Sequence, residues 1–128
     1  VTSATIHQAL RGAAGLQRVA LACHANTRKL VDALAANDCV EPHINRPCFH
    51  ETALHFNLPL DSIMRPLHAH NILPGYALGG DYPELGDTLL VCATETRTDE
   101  DIEFYADHLN RIIEKQTAAG CPVQPKMA

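Results

Sequence analysis

Between Asn71 and Thr98 the chain passes through turn chemistry, a short apolar run and a helix start without a gap, which restricts the fold more than any other stretch. Pro74–Gly75 and Gly79–Gly80 mark backbone turns, Asp81-Tyr82-Pro83 holds the chain extended, and Leu89 to Ala93 is an apolar run of strand length. Thr98-Asp99-Glu100-Asp101 then opens a helix, with a capping hydroxyl and three carboxylates set against the positive end of the helix dipole. One strand is thus fixed between a shaped loop and a strong helix start.

The flanking patterns supply the remaining elements. Ile6, Ala9, Leu10 and Ala13 fit a helix, interrupted at Gly12 and Gly15 before a second apolar series at Leu16, Val19, Ala20, Cys23, Leu30 and Leu34. The second helix, about 20 residues or roughly 30 Å long, suits one that lies across a sheet. Asn37-Asp38 stops it. Cys39 to His43 predicts a short strand, Asn45-Arg46-Pro47 a turn, and Cys48 to Leu58 a longer strand with Thr52, Leu54, Phe56 and Leu58 on one face, the two pairing as a hairpin. Asp61 or Ser62 can cap a helix over Ile63, Met64 and Leu67 up to His70, with Asn71 as its stop and Pro66 either in its first turn or at a kink. Ile102, Tyr105, Ala106, Leu109, Ile112 and Ile113 form the apolar stripe of the last helix, which Gly120, Pro122 and Pro125 end. The order helix, helix, strand, strand, helix, strand, helix predicts an α/β two-layer (α+β) fold: a small, mostly antiparallel sheet with helices on one face.

Composition narrows the chemistry. A chain of 128 residues with 46% hydrophobic content is one domain able to bury roughly two thirds of its unfolded surface. Net charge is −5, the basic residues are dispersed and aromatics reach only 5%, which argues against nucleic acid as a partner. No apolar stretch approaches the ~20 residues of a membrane span, and Val1 begins without a charged leader, so the expectation is a soluble, cytoplasmic chain cut from something longer. Cys23, Cys39, Cys48, Cys92 and Cys121 contain no Cys-x-x-Cys pair and read as reduced thiols, with Cys23 and Cys92 as small buried hydrophobes.

The usual catalytic constellations are missing from the pattern. His68 and His70 are two apart, a spacing that separates them on a helix, and His50 and His55 have opposite strand parity, leaving Glu51 with His55 as a same-face pair. Ser3 and Ser62 sit in helix-start contexts that capping explains, and Leu78-Gly79-Gly80-Asp81 lacks the Lys-Ser/Thr of a phosphate loop. No metal and no nucleophile are expected.

Several motifs, in order, resemble the glycine cleavage system P-protein, in particular the alpha subunit of its two-subunit bacterial form. Gly15-Leu16-Gln17-Arg18-Val19-Ala20 is similar to the family's Gly-Leu-Arg-Glu-Val-Ala helix start, and Phe49-His50-Glu51 to its Phe-Asn-Glu strand. Gly75-Tyr76-Ala77-Leu78-Gly79, Tyr82-Pro83-Glu84-Leu85 and Thr94-Glu95-Thr96-Arg97-Thr98 follow at the family's spacing, so residues 4–115 are covered. The chain departs from the pattern at His50, where Asn is usual, at Thr52, where Phe is usual, and at Gly80, where Arg often stands.

The resemblance implies the C-terminal small domain of a fold type I pyridoxal-phosphate enzyme, divided into a helical connector (1–37), the α/β domain (38–117) and a tail (118–128). It further implies glycine decarboxylation with transfer of the aminomethyl group to the lipoyl H-protein. Pyridoxal phosphate would be bound outside this segment, because Lys29, Lys115 and Lys126 do not stand where the family places its aldimine lysine. No catalytic, cofactor-binding or metal residue is assigned, and the chain alone is expected to be inactive. The implied partners are the large domain of its own subunit, the P-protein beta subunit and the H-protein. Phe49, His50, Glu51, Gly75, Tyr76, Leu78, Gly79, Tyr82, Glu84 and Glu95 are the expected interface or cleft-lining residues. Two rival readings are the small domain of a class V aminotransferase or cysteine-desulfurase-like enzyme, and a non-enzymatic α/β binding module.

Overall fold

The structure, a computed structural model, describes residues 1–43 and 46–119. Three helices, α1 (Thr2–Ala35), α2 (Leu60–Ala69) and α3 (Asp99–Ala118), accompany four strands, β1 (Val40–Pro42), β2 (Glu51–Phe56), β3 (Tyr76–Ala77) and β4 (Thr88–Cys92). The strands form one sheet in the order β1-β2-β4-β3, every neighbouring pair antiparallel. This is the expected α+β architecture, and β1 and β2 pair as the expected hairpin, Val40 opposite Phe56.

The core lies where one face of the sheet meets the helices. Leu54 and Phe56 of β2 and Leu89 and Val91 of β4 are fully buried against Leu34 of α1, Ile63 and Leu67 of α2 and Leu109 of α3. Period-two alternation places the other β4 side chains on the opposite face, so Leu90 is half-buried and Cys92 exposed. The expectation that Cys92 is a buried hydrophobe is therefore corrected: an unbroken apolar run hid its parity. Cys23 is buried as expected.

Local chemistry explains the helix ends. Thr98 accepts from the Asp101 amide at 3.2 Å while the Asp101 carboxylate accepts from the Thr98 amide at 3.1 Å, the reciprocal capping box that starts α3. Asn71 adopts φ 58° just past α2, and the Asn71 and Ile72 amides donate to the His68 and Leu67 carbonyls, closing a Schellman turn. The start of α2 differs from expectation. The helix begins at Leu60, two or three residues earlier than a cap at Asp61 or Ser62 would place it, and the Leu60 amide donates to Asp87 Oδ1 at 2.9 Å. Pro66 consequently lies in the helix interior, not in the first turn. Its missing N–H would have served the Ser62 carbonyl, which instead accepts from Gln116 Nε2 of α3 at 3.3 Å.

The predicted break in the first helix falls at Gly12, whose φ of 61° and ψ of 178° interrupt helical geometry, while Gly15 stays helical. β2 is shorter than the expected 48–58 strand, and β3 is a two-residue strand that the turn pattern did not reveal. Gly120, Pro122 and Pro125, the expected end of α3, lie outside the described residues.

Candidate functional site

Strand register sorts the expected site residues into two groups along β4. Glu51 lies opposite Cys92, at the C-terminal end of β4, and Tyr76 lies opposite Leu90, near its middle. Phe49, His50 and Glu51 therefore gather at the C-terminal end with Gly75 and Glu95, whereas Leu78, Gly79, Tyr82 and Glu84 occupy the turns leading into its N-terminal end. The sequence pointed to one surface; the fold divides it in two, with Tyr76 between them.

At the C-terminal end, α1 grips the chain leaving β4. Thr27 Oγ1 donates to the Ala93 carbonyl at 3.0 Å, and Asn26 Nδ2 donates to the Thr94 and Arg97 carbonyls, both at 2.9 Å. Cys23 Sγ donates to Glu95 Oε2 at 3.4 Å. Burial, reinforced by Glu95, pushes the Cys23 thiol above its ordinary pKa, and burial with the Glu51 carboxylate does the same for Cys92. Both thiols are held protonated and are poor nucleophiles. Phe49 is exposed, and the His50 ring stands nearly perpendicular to it at 4.8 Å between centroids. Gly75 has φ 146°, and a Cβ there would collide with the Leu90 carbonyl, so only glycine admits this approach of β3 to β4.

At the other end, two 3₁₀ turns, Leu78–Gly80 and Pro83–Leu85, fold the loop on itself, with Gly79 packed against the Gly86 backbone too closely for any side chain. The Tyr76 hydroxyl donates to Asp81 Oδ2 at 2.6 Å, tying the strand to the loop, and this hydrogen bond raises the Tyr76 pKa. Tyr82 and Glu84 stand exposed. Asp81, absent from the expected set, is the residue that fixes Tyr76; its signal was the five-residue spacing across a turn.

A concavity of about 550 Å³ opens between the segment entering β3 and the start of α3, lined by residues including Leu73, Cys92, Arg97, Phe104 and Tyr105. None of the ten expected residues lines it.

The described residues do not fit pyridoxal phosphate. Lys29 is on the outside of α1, paired with Asp99 at 2.6 Å, and Lys115 is exposed near the end of α3. Lys126 lies outside the described residues. No group of three or more His, Cys, Asp or Glu residues among those described is placed to hold a metal ion.

Comparison with known proteins gives this surface its context. No protein-family model matches the chain. The probable glycine dehydrogenase (decarboxylating) subunit 1 of Methylococcus capsulatus is 47% identical over 114 residues, which are 89% of this chain and 25% of that protein. The chain is homologous to part of glycine dehydrogenase (decarboxylating) subunit 1. The corresponding subunit of Thioalkalivibrio sulfidiphilus is 49% identical over 107 residues, covering 84% of the chain and 24% of its own length. A crystal structure of glycine decarboxylase, the P-protein of the glycine cleavage system, in inhibitor-bound form superposes with a TM-score of 0.74 at 25% identity, over 84% of this chain and 24% of that one. The chain thus spans about a quarter of the glycine dehydrogenase subunits it matches.

Proposed function

We propose that this chain is the C-terminal small domain of a glycine dehydrogenase subunit 1, which supports pyridoxal-phosphate-dependent glycine decarboxylation and aminomethyl transfer to the lipoyl H-protein without performing the covalent step. When bound, pyridoxal phosphate supplies the electron sink for decarboxylation. The lysine that would hold it belongs to the large domain or the beta subunit. This chain's own contribution is shape: the β4 ends, with Phe49, His50, Glu51, Gly75 and Glu95 on one side and Leu78, Gly79, Tyr82 and Glu84 on the other, face the rest of the enzyme. Tyr76 joins the two groups.

The observation that carries this reading is the first half of α1. Residues 1–14 are exposed without exception, and Ile6, Leu10, Leu16 and Leu21 present large apolar side chains to solvent, Leu10 at 82% exposure. Exposed large apolar side chains on both sides of the Gly12 break mark surface that something else covers, and three quarters of the length of its relatives is available to do so. The names of the relatives favour this reading over a cysteine-desulfurase-like enzyme or a free-standing binding module. No helix among the described residues is long and apolar enough to cross a membrane, which suits the cytoplasmic location proposed for such an enzyme.

The test is spectroscopic. Mixed with pyridoxal phosphate, the chain alone is expected to give no aldimine absorption and no release of carbon dioxide from glycine. Added to a subunit 1 lacking this quarter, together with the beta subunit and H-protein, it is expected to restore decarboxylation. An aldimine band on the isolated chain would overturn the proposal.

A further inference from the structure

A second concavity, of about 410 Å³, lies between α1 and the segment that leads into β2, with Cys48 and Thr52 in its lining. His24, Arg28 and Val31 follow one side of the buried stripe Cys23, Thr27, Leu30 and Leu34, and Arg46 and Pro47 close the opposite wall from the connection between β1 and β2. Its charge balance runs against that of the chain. Two arginines and an imidazole line it with one carboxylate, Asp32, in a protein of net charge −5.

These cations are not used internally. Among the described residues the ion pair is Lys29 with Asp99; Arg28 is not paired with Asp32, although a helical turn separates them, and neither guanidinium makes a hydrogen bond. Both arginines are exposed, so their guanidinium groups are open to solvent at the rim of the concavity, where each offers a planar donor pair that fits an oxyanion in bidentate fashion. Val31 and Pro47 give the site apolar walls, and its volume is that of a small-molecule pocket. We propose that this pocket binds the phosphate or carboxylate group of a small organic anion, with Arg28 and Arg46 as the two forks and His24 as a further donor. The assignment is independent of the proposed enzymatic role.

The test uses the whole 128-residue chain, labelled with nitrogen-15 and titrated with inorganic phosphate and separately with acetate at constant ionic strength. Saturable amide shifts confined to the neighbourhoods of His24, Arg28 and Arg46 are expected, and whichever anion saturates at lower concentration identifies the head group. R28Q and R46Q should each weaken binding at least ~10-fold, R28K less than R28Q because it keeps the charge and loses the fork. D32N should tighten binding roughly two- to five-fold by removing the one opposing charge. R65Q, on α2, should leave it unchanged, and an unaltered unfolding temperature verifies that each variant is folded. Shifts that grow without saturating for both anions, or that are the same in R28Q, R46Q and R65Q, would overturn the proposal.

Discussion

The two halves of α1 carry similar apolar residues and meet opposite fates. From Cys23 to Leu34 the stripe Cys23, Thr27, Leu30 and Leu34 is buried against the sheet and α3, and Thr27, Asn26 and Lys29 hydrogen-bond the segment that leads from β4 into α3. Before Cys23, Ile6, Leu10, Leu16 and Leu21 are exposed, from Leu16 at 36% to Leu10 at 82%. Periodicity specifies that a helix face is apolar; it does not specify what covers the face. The inner half finds its partner in this chain, and the proposed function assigns the outer half one elsewhere.

The comparison can be broken by substitution. Phe56→Ala, deep under the inner half, should lower unfolding free energy by about 3–5 kcal/mol, whereas Leu10→Ala should change it by less than ~0.5 kcal/mol in the same urea titration. Equal effects would mean that the arm is part of the folded body. Gly75→Ala should cost about 2 kcal/mol or more through its backbone conformation and its collision with Leu90, with loss of amide protection confined to β3 and the adjoining edge of β4.

Smaller effects sharpen the account of the body. Thr98→Ala removes the side-chain half of the capping box and should cost about 1 kcal/mol. Gln116→Ala leaves the Ser62 carbonyl without its substitute donor, again about 1 kcal/mol, and should loosen α2 around Pro66 in hydrogen exchange.

Tyr105 contributes to the alkaline limit. Its hydroxyl donates to the Pro74 carbonyl at 3.0 Å, and burial pushes its pKa well above the ordinary 10.0 of a free phenol. With the folded-state pKa raised, the unfolded chain loses the proton first, so the contribution is fully present below about pH 10 and declines as pH rises from there toward the folded-state value. Tyr105→Phe should flatten that decline while slightly lowering stability at neutral pH. Denaturant midpoints measured between pH 8 and 11.5 check the sign.

What the sequence made legible follows from where the information lay. α3 was readable because its cap, its stripe and its dipole-facing carboxylates sit within 20 consecutive residues. The start of α2 was not, since Asp87 and Gln116, which cap Leu60 and replace the lost donor of Pro66, are 27 and 54 residues away from the groups they serve. β3 escaped notice because two residues have no periodicity, and its place is set by register with Leu89 and Leu90. The site motifs were legible as a list, but their division between the two ends of β4 depended on that same register. Arg28 and Arg46 were invisible as a pair because only the fold brings α1 alongside the β1–β2 connection.

Hydrogen–deuterium exchange on α1, with and without a Methylococcus capsulatus subunit 1 truncated to lack the matching quarter, measures whether the outer half acquires a partner. Residues 2–21 should exchange rapidly in the chain alone and become strongly protected in a one-to-one complex, with Leu10→Asp abolishing the protection while the inner half stays protected throughout. Rapid exchange of the arm in both samples, from a chain whose body is folded, would contradict the account.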